Sequence, residues 1–132
     1  MSTPRFGAAA ALLPDGTVLV AGGQNGKRSD TALKTAELWD PVTRAWAVLP
    51  AMSYARVFCS ACVLPSGRVA VVGAKSREAR KTAEAFDPQR RVWEPIADLA
   101  APRGGAGVVA VAGGMLAIGT PSRSMPPNEL CE

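Results

Sequence analysis

The chain alternates short apolar runs with compact polar turns, and no helix is apparent along it. Residues 8–13 form a run of mostly small apolar side chains that ends at Pro14-Asp15-Gly16, where Asp and Gly suit a tight turn. Residues 17–21 are rich in β-branched side chains and apolar at every position but the first. Continuous apolarity of that length predicts a strand covered on both faces. Gly22-Gly23 ends the run, and a polar stretch follows over 24–34. Residues 35–39 then read as a third strand, Asp40-Pro41 with Thr43-Arg44 as its turn, and residues 45–49 as a fourth strand carrying Trp46. Four short strands in succession predict one antiparallel sheet. The same succession returns as strands over 59–64, 68–72, 82–86 and 91–95, and then in part over 107–112 and 115–118.

The residues repeat as well as the pattern. Pro4-Arg5, Leu13-Pro14-Asp15-Gly16, Gly22-Gly23, Ala36-Glu37-Leu38-Trp39-Asp40-Pro41 and Trp46 form one series. Arg56, Leu64-Pro65-Ser66-Gly67, Gly73, Ala83-Glu84-Ala85-Phe86-Asp87-Pro88 and Trp93 form a second in the same order. A third opens at Leu99 and Pro102-Arg103, continues through Leu116-Ala117-Ile118-Gly119, and lacks the downstream half. Arg5 to Arg56 spans 51 positions and Arg56 to Arg103 spans 47. The difference falls in one connection, since 74–81 is shorter than 24–34. A period of about 50 belongs to propeller-type repeats.

Taken together, these residues resemble the kelch repeat. The first unit matches the pattern fully; in the second, Ala74 takes the place of the second Gly of the doublet. The resemblance implies an all-β, kelch-type β-propeller segment that is open rather than a closed ring. Residues 1–51 and 52–98 would be two complete four-stranded blades and 99–119 half of a third. The tail over 120–132 carries Pro121, Pro126 and Pro127 and is expected to be disordered. The resemblance further implies a protein-binding module, and by family analogy the substrate-recognition part of a ubiquitin-ligase adaptor. A non-autonomous propeller fragment is the alternative, because propellers usually close with 4–8 blades. Self-association of several copies to complete a ring is a third expectation.

The repeated residues have structural readings. Gly22, Gly23 and Gly73 stand at strand ends, where a left-handed backbone or a close approach would demand Gly. Asp40 and Asp87 favour turns through side-chain bonds to nearby amides. Trp46 and Trp93 are large enough to pack on an adjacent blade with the indole N–H on a backbone acceptor. Glu37 and Glu84 read as a repeated polar bond that fixes register.

Little is left for chemistry. The chain has no His, which removes the usual general base and most metal ligands. Cys59 and Cys62 lie three apart on one strand and so point to opposite faces, which suits two small buried side chains better than a metal or redox pair. Kelch-type oxidases hold copper with Tyr and His, and Tyr54 is the only Tyr here. The chain is therefore expected to be no enzyme and to carry no cofactor or metal. Its charge of +4 comes without aromatic-interleaved basic stripes, so nucleic acid is not an expected partner. No apolar run reaches membrane-spanning length. An odd cysteine count without a paired framework points to a reducing, cytoplasmic setting.

Charge is uneven, however. Lys27, Arg28 and Lys34 against Asp30 give the 24–34 connection a net +2, and Lys75, Arg77, Arg80 and Lys81 against Glu78 give 74–81 a net +3. In an up-and-down blade both connections lie on one face. An acidic peptide or protein surface is the expected partner, met by Lys27, Arg28, Lys75, Arg77 and Arg80. Arg5, Arg56 and Arg103 open each unit near the same rim and fit two readings equally: loop anchor or ligand contact.

Overall fold

In a computed structural model, the described residues form eleven strands. The structure describes residues 1–28, 31–99, 105–112, 114–119 and, by backbone, 128–131. The strands are β1 Phe6–Leu12, β2 Val18–Gln24, β3 Ala36–Asp40, β4 Ala45–Leu49, β5 Ser60–Val63, β6 Val69–Val72, β7 Ala83–Asp87, β8 Val92–Ile96, β9 Gly107–Val111, β10 Gly114–Ile118 and β11 Asn128–Cys131. They form three antiparallel sheets, β1-β2-β3-β4, β5-β6-β7-β8 and β9-β10-β11, each following chain order. The chain is thus an all-β, open arrangement of propeller blades.

One expectation needs correction. The third unit was to stop after two strands and its tail to be disordered, but Asn128–Cys131 pairs with β10 as a third strand. The register is that of the other blades: Val20 faces Glu37, Val71 faces Glu84, and Ala117 faces Glu129. The segment is hard to read because it carries neither the aromatic residue nor the Asp-Pro turn that marks β3 and β7.

Pleating decides what each blade buries. Residues of one strand alternate between faces, and cross-strand partners share a face. On the first sheet, Ala9, Ala21, Ala36 and Leu49 are mutual partners on one face, with Ala11, Leu19 and Leu38 beside them. That face packs against Val63, Val69, Val71, Phe86 and Trp93 of the second sheet, and Leu19, Val69 and Val71 are completely buried. The other face of the second sheet, with Cys62, Ala70, Val72 and Ala83, meets Val108, Met115 and Ala117 of the third. The two cysteines therefore sit in different cores, Cys59 between sheets one and two and Cys62 between sheets two and three. Burial pushes both thiols up from their ordinary value.

The inner strands lie closest together, β1 beside β5 and β5 beside β9. Small residues in β1 permit this approach, and the chain crosses the gap by hydrogen bonds from Phe58 N to Gly7 O (2.8 Å) and Gly105 N to Phe58 O (2.9 Å). Gly22 adopts φ 70°, and a Cβ there would drive into the carbonyl oxygen of Arg56. Turns follow the expected chemistry. Asp40 Oδ1 accepts from Val42 N (2.8 Å) and Thr43 N (3.4 Å), and Asp87 Oδ1 accepts from Gln89 N (2.9 Å) and Arg90 N (3.1 Å).

Trp93 packs as expected, donating Nε1–H to Pro50 O at 2.7 Å. Trp46 does not pack on an adjacent blade. It leans on Trp39 of its own sheet, ring centroids 6.4 Å apart, and remains 38% exposed. The physical reason is its face: the described residues place no sheet against that side of the first blade.

The main correction concerns Arg5 and Arg56, which are not available to a partner. Arg56 is fully buried, and Arg5 keeps 1% of its side chain exposed. Arg56 Nη1 donates to Gly73 O and Thr82 O, both at 3.0 Å, while Nη2 donates to Thr82 Oγ1 (2.8 Å) and Glu84 Oε2 (2.9 Å). Arg5 does the same one blade earlier, to Gly22 O (2.8 Å), Thr35 O (2.9 Å), Thr35 Oγ1 (2.9 Å) and Glu37 Oε2 (3.1 Å). The remaining carboxylate oxygen is satisfied in each case by a serine amide, Ser2 or Ser53, at 2.7 Å. Each repeated glutamate is held by the arginine that opens its unit, in a buried ion pair. Thr35, Thr82, Ser2 and Ser53 complete the network, and the sequence reading missed all four.

A buried pair loses about 3–5 kcal/mol when one partner is removed, because the other charge is stranded. Glu84→Gln is therefore expected to lower unfolding stability in urea by that amount. Glu94→Gln, which weakens the solvent-accessible contacts with Arg68 and Arg90, is expected to cost under about 1 kcal/mol. Equal losses in the two variants would show the buried pair to be energetically ordinary.

A pH effect follows from Glu37. Burial alone raises its carboxyl, but the bonds from Ser2 and Arg5 outweigh burial and hold it below the ordinary 4.5. Its stabilisation is present above that value and is lost as pH falls through the lower folded-state value. Thermal unfolding followed from pH 7 into the acid range is expected to show a smaller loss of stability for Glu37→Gln than for wild type below that point.

Candidate functional site

The connections after β2 and β6 meet on one side of the blades, as the alternating pattern requires. They are tied down by backbone bonds: Met52 N to Lys34 O (2.8 Å), Arg56 N to Leu33 O (3.0 Å), Lys75 N to Val57 O (2.9 Å) and Leu99 N to Lys81 O (2.7 Å). Between them lies a groove of about 510 Å³ lined by Phe6, Phe58, Val57, Lys27 and Lys75, among others. A second hollow of about 570 Å³ continues on the other side of Phe6, over Pro4, Asn25 and Gly26. Lys27 belongs to both.

The groove is aromatic at its centre and cationic at its rim. Phe6 and Phe58 meet edge to face, centroids 5.5 Å apart at 87°. Lys75 Nζ stands 5.7 Å from the centre of the Phe58 ring, a cation over a π face. Phe6 is 62% exposed and presents its ring to solvent beside the groove.

Arg44 and Arg91 take a left-handed backbone in the turns before β4 and β8, but Phe58 takes one where its sibling units carry Gly. Its φ is 55°, the left-handed region. Counting from the unit-opening arginines, the same position is Gly7 (φ 67°) in the first blade and Gly105 (φ 72°) in the third. Glycine adopts this conformation without penalty, whereas a residue with a Cβ loses roughly 1–2 kcal/mol there. The second unit carries a phenylalanine all the same.

The sequence-predicted residues divide clearly. Lys27 and Lys75 line the groove. Arg28, Arg77 and Arg80 are exposed on the same connections. Arg5 and Arg56 are withdrawn into the blades, and Arg103 lies outside the described residues. Phe6 and Phe58 were missed, although Phe58 stands in the sequence where its sibling units have Gly. Among the described residues, no group of three or more His, Cys, Asp or Glu side chains comes together as a metal would need.

Comparison with known proteins agrees with this geometry. No curated protein matches the sequence. Among solved structures, the chain is similar to a fungal alcohol oxidase of the AA5 family determined in complex with copper, at 19% identity and a TM-score of 0.78. The match covers 94% of this chain and 29% of the oxidase, so the chain spans under a third of that protein's length. At such identity the likeness is one of fold. Residues 5–53 match the kelch motif, the stretch from the first buried arginine to the serine that caps the second ion pair, and the residues of that stretch recur in the second blade.

Proposed function

We propose that the chain is a protein-binding module whose loop face takes up an acidic segment of a partner protein, with no catalytic step of its own. The observation that carries this reading is Phe58. A phenylalanine held at positive φ, where the equivalent positions are glycine, is backbone strain that the sibling blades avoid, and such strain gathers at functional sites. Its ring, paired with Phe6 and flanked by Lys75 and Lys27, offers an apolar anchor with cations beside it. An acidic peptide carrying one apolar side chain fits that chemistry. The anchor would sit on the phenylalanines, and the carboxylates would meet the lysines. The exposed Arg77 and Arg80 extend the positive potential along the adjoining loop and would speed encounter more than they hold the complex.

Two outcomes test the reading. Selection from a displayed peptide library is expected to enrich acidic over basic sequences, with binding that weakens as salt is raised. The double variant Lys27→Glu/Lys75→Glu is expected to reverse that preference. Enrichment of acidic and basic peptides alike by the wild-type chain would overturn the proposal. Phe58→Gly separates binding from folding. It relieves about 1–2 kcal/mol of backbone cost, which offsets the lost ring contacts. The urea midpoint is expected to stay near wild type while capture of the selected peptides drops.

A further inference from the structure

The groove between the first two blades offers an anion more than the charges of its two lysines. Gln24, the last residue of β2, and Lys27 just beyond it line the groove from the first blade. Lys75 and Ser76, on the connection after β6, line it from the second. Each blade thus contributes one ammonium and one neutral hydrogen-bonding group. Among the described residues, neither lysine meets a carboxylate, and neither the Gln24 amide nor the Ser76 hydroxyl has a hydrogen-bond partner. An ammonium carries three N–H donors, so Lys75 can rest over the Phe58 ring and still donate into the groove.

Two cations and two neutral donors are more than one carboxylate matches. A carboxylate spreads a single charge over two coplanar oxygens. A phosphate monoester carries close to two charges at neutral pH, on three oxygens set about a tetrahedral centre. Arginine's planar fork suits a carboxylate edge to edge, but Arg5 and Arg56 are turned into the blades. The cations lining the groove are lysines, compact point charges that bind a phosphoryl group without needing a shared plane. The two connections around it add Arg28, Lys34, Arg77, Arg80 and Lys81 against Asp30 and Glu78, so the surroundings carry the same sign.

We infer that the groove takes up the phosphoryl group of a phosphoserine or phosphothreonine in the partner's segment, Lys27 and Lys75 neutralising it while the Gln24 amide and the Ser76 hydroxyl donate to its oxygens. This rests on the peptide-binding reading above and narrows it. A short phosphorylated side chain keeps its charge close to the segment's backbone, so that a neighbouring apolar residue can reach Phe6 and Phe58 in the same groove. Docking is then governed by phosphorylation of the partner, because the unmodified hydroxyl leaves both lysines without an anion.

Three peptide libraries of one design test it, with the central residue fixed as phosphoserine, aspartate or serine and its neighbours varied. Phosphoserine peptides are expected to bind best and serine peptides worst. The step from aspartate to phosphoserine is expected to be about tenfold, the worth of one added charge-assisted hydrogen bond. Lowering the pH from about 7 to about 5 protonates phosphoserine, whose second pKa is about 6, and leaves aspartate, at about 4, mostly ionised. The chain has no His, so affinity for the phosphoserine peptide is expected to fall over that range while affinity for the aspartate peptide holds. Ser76→Ala and Gln24→Leu, checked for fold by circular dichroism, are expected to bring the phosphoserine-to-aspartate ratio toward one. A ratio that neither variant moves overturns the inference. Aspartate peptides bound as tightly as phosphoserine peptides, with serine peptides weaker, overturn it and leave the acidic-segment reading standing. Three libraries bound alike overturn both. Vesicles bearing phosphatidylinositol phosphates that bind as tightly as the selected phosphopeptide also overturn it, since the groove would then read a lipid headgroup.

Discussion

The buried pairing of arginine with glutamate is the interaction on which the rest of the structure depends. Each complete blade closes around one guanidinium that gathers the glycine carbonyl ending the second strand, the threonine before the third, and the glutamate within it. A guanidinium taken out of water is costly unless nearly all its donors are met. Meeting them requires that strands two and three, and the segment entering the blade, all arrive together. In a blade with few large side chains in its inner strands, this polar knot supplies a specificity that small apolar residues could not.

The fold was largely legible because its signals are local and repeated. Alternating apolar runs, Asp-Pro turns and glycine punctuation recur in fixed order, and β4 matches the run over 45–49 end to end. The site was only partly legible. Lys27 and Lys75 could be found as charges on connecting loops, because loop position follows from strand order. Arg5 and Arg56 could not be settled from composition, since a positive side chain near a loop rim looks the same whether it faces solvent or turns inward. The pairing with Glu37 and Glu84 spans about 30 positions, beyond any local pattern. Trp46 and Trp93 are identical in the repeat, and only the presence or absence of a neighbouring sheet separates exposed from packed.

The function proposed here rests on departures from the repeat rather than on the repeat itself. Where the units agree, each residue has a duty inside the blade. Where they disagree, as at Phe58 against Gly7 and Gly105, or in the two unequal loops, the chain is free to carry information for a partner. That division of labour suits blades held by an interior network and a rim tied down largely through its backbone.

The position of Arg56 also bears on how such a chain can grow. Its carbonyl oxygen accepts from Gly23 N in the first blade, at 2.6 Å, while its side chain serves the second. The residue is therefore a hinge pin shared by two generations of the repeat. A gene duplication whose breakpoint fell between the arginine and its glutamate would leave one new blade with an orphaned cation and another with an orphaned carboxylate. Copies cut ahead of the serine that precedes the arginine keep serine, arginine and glutamate in one unit.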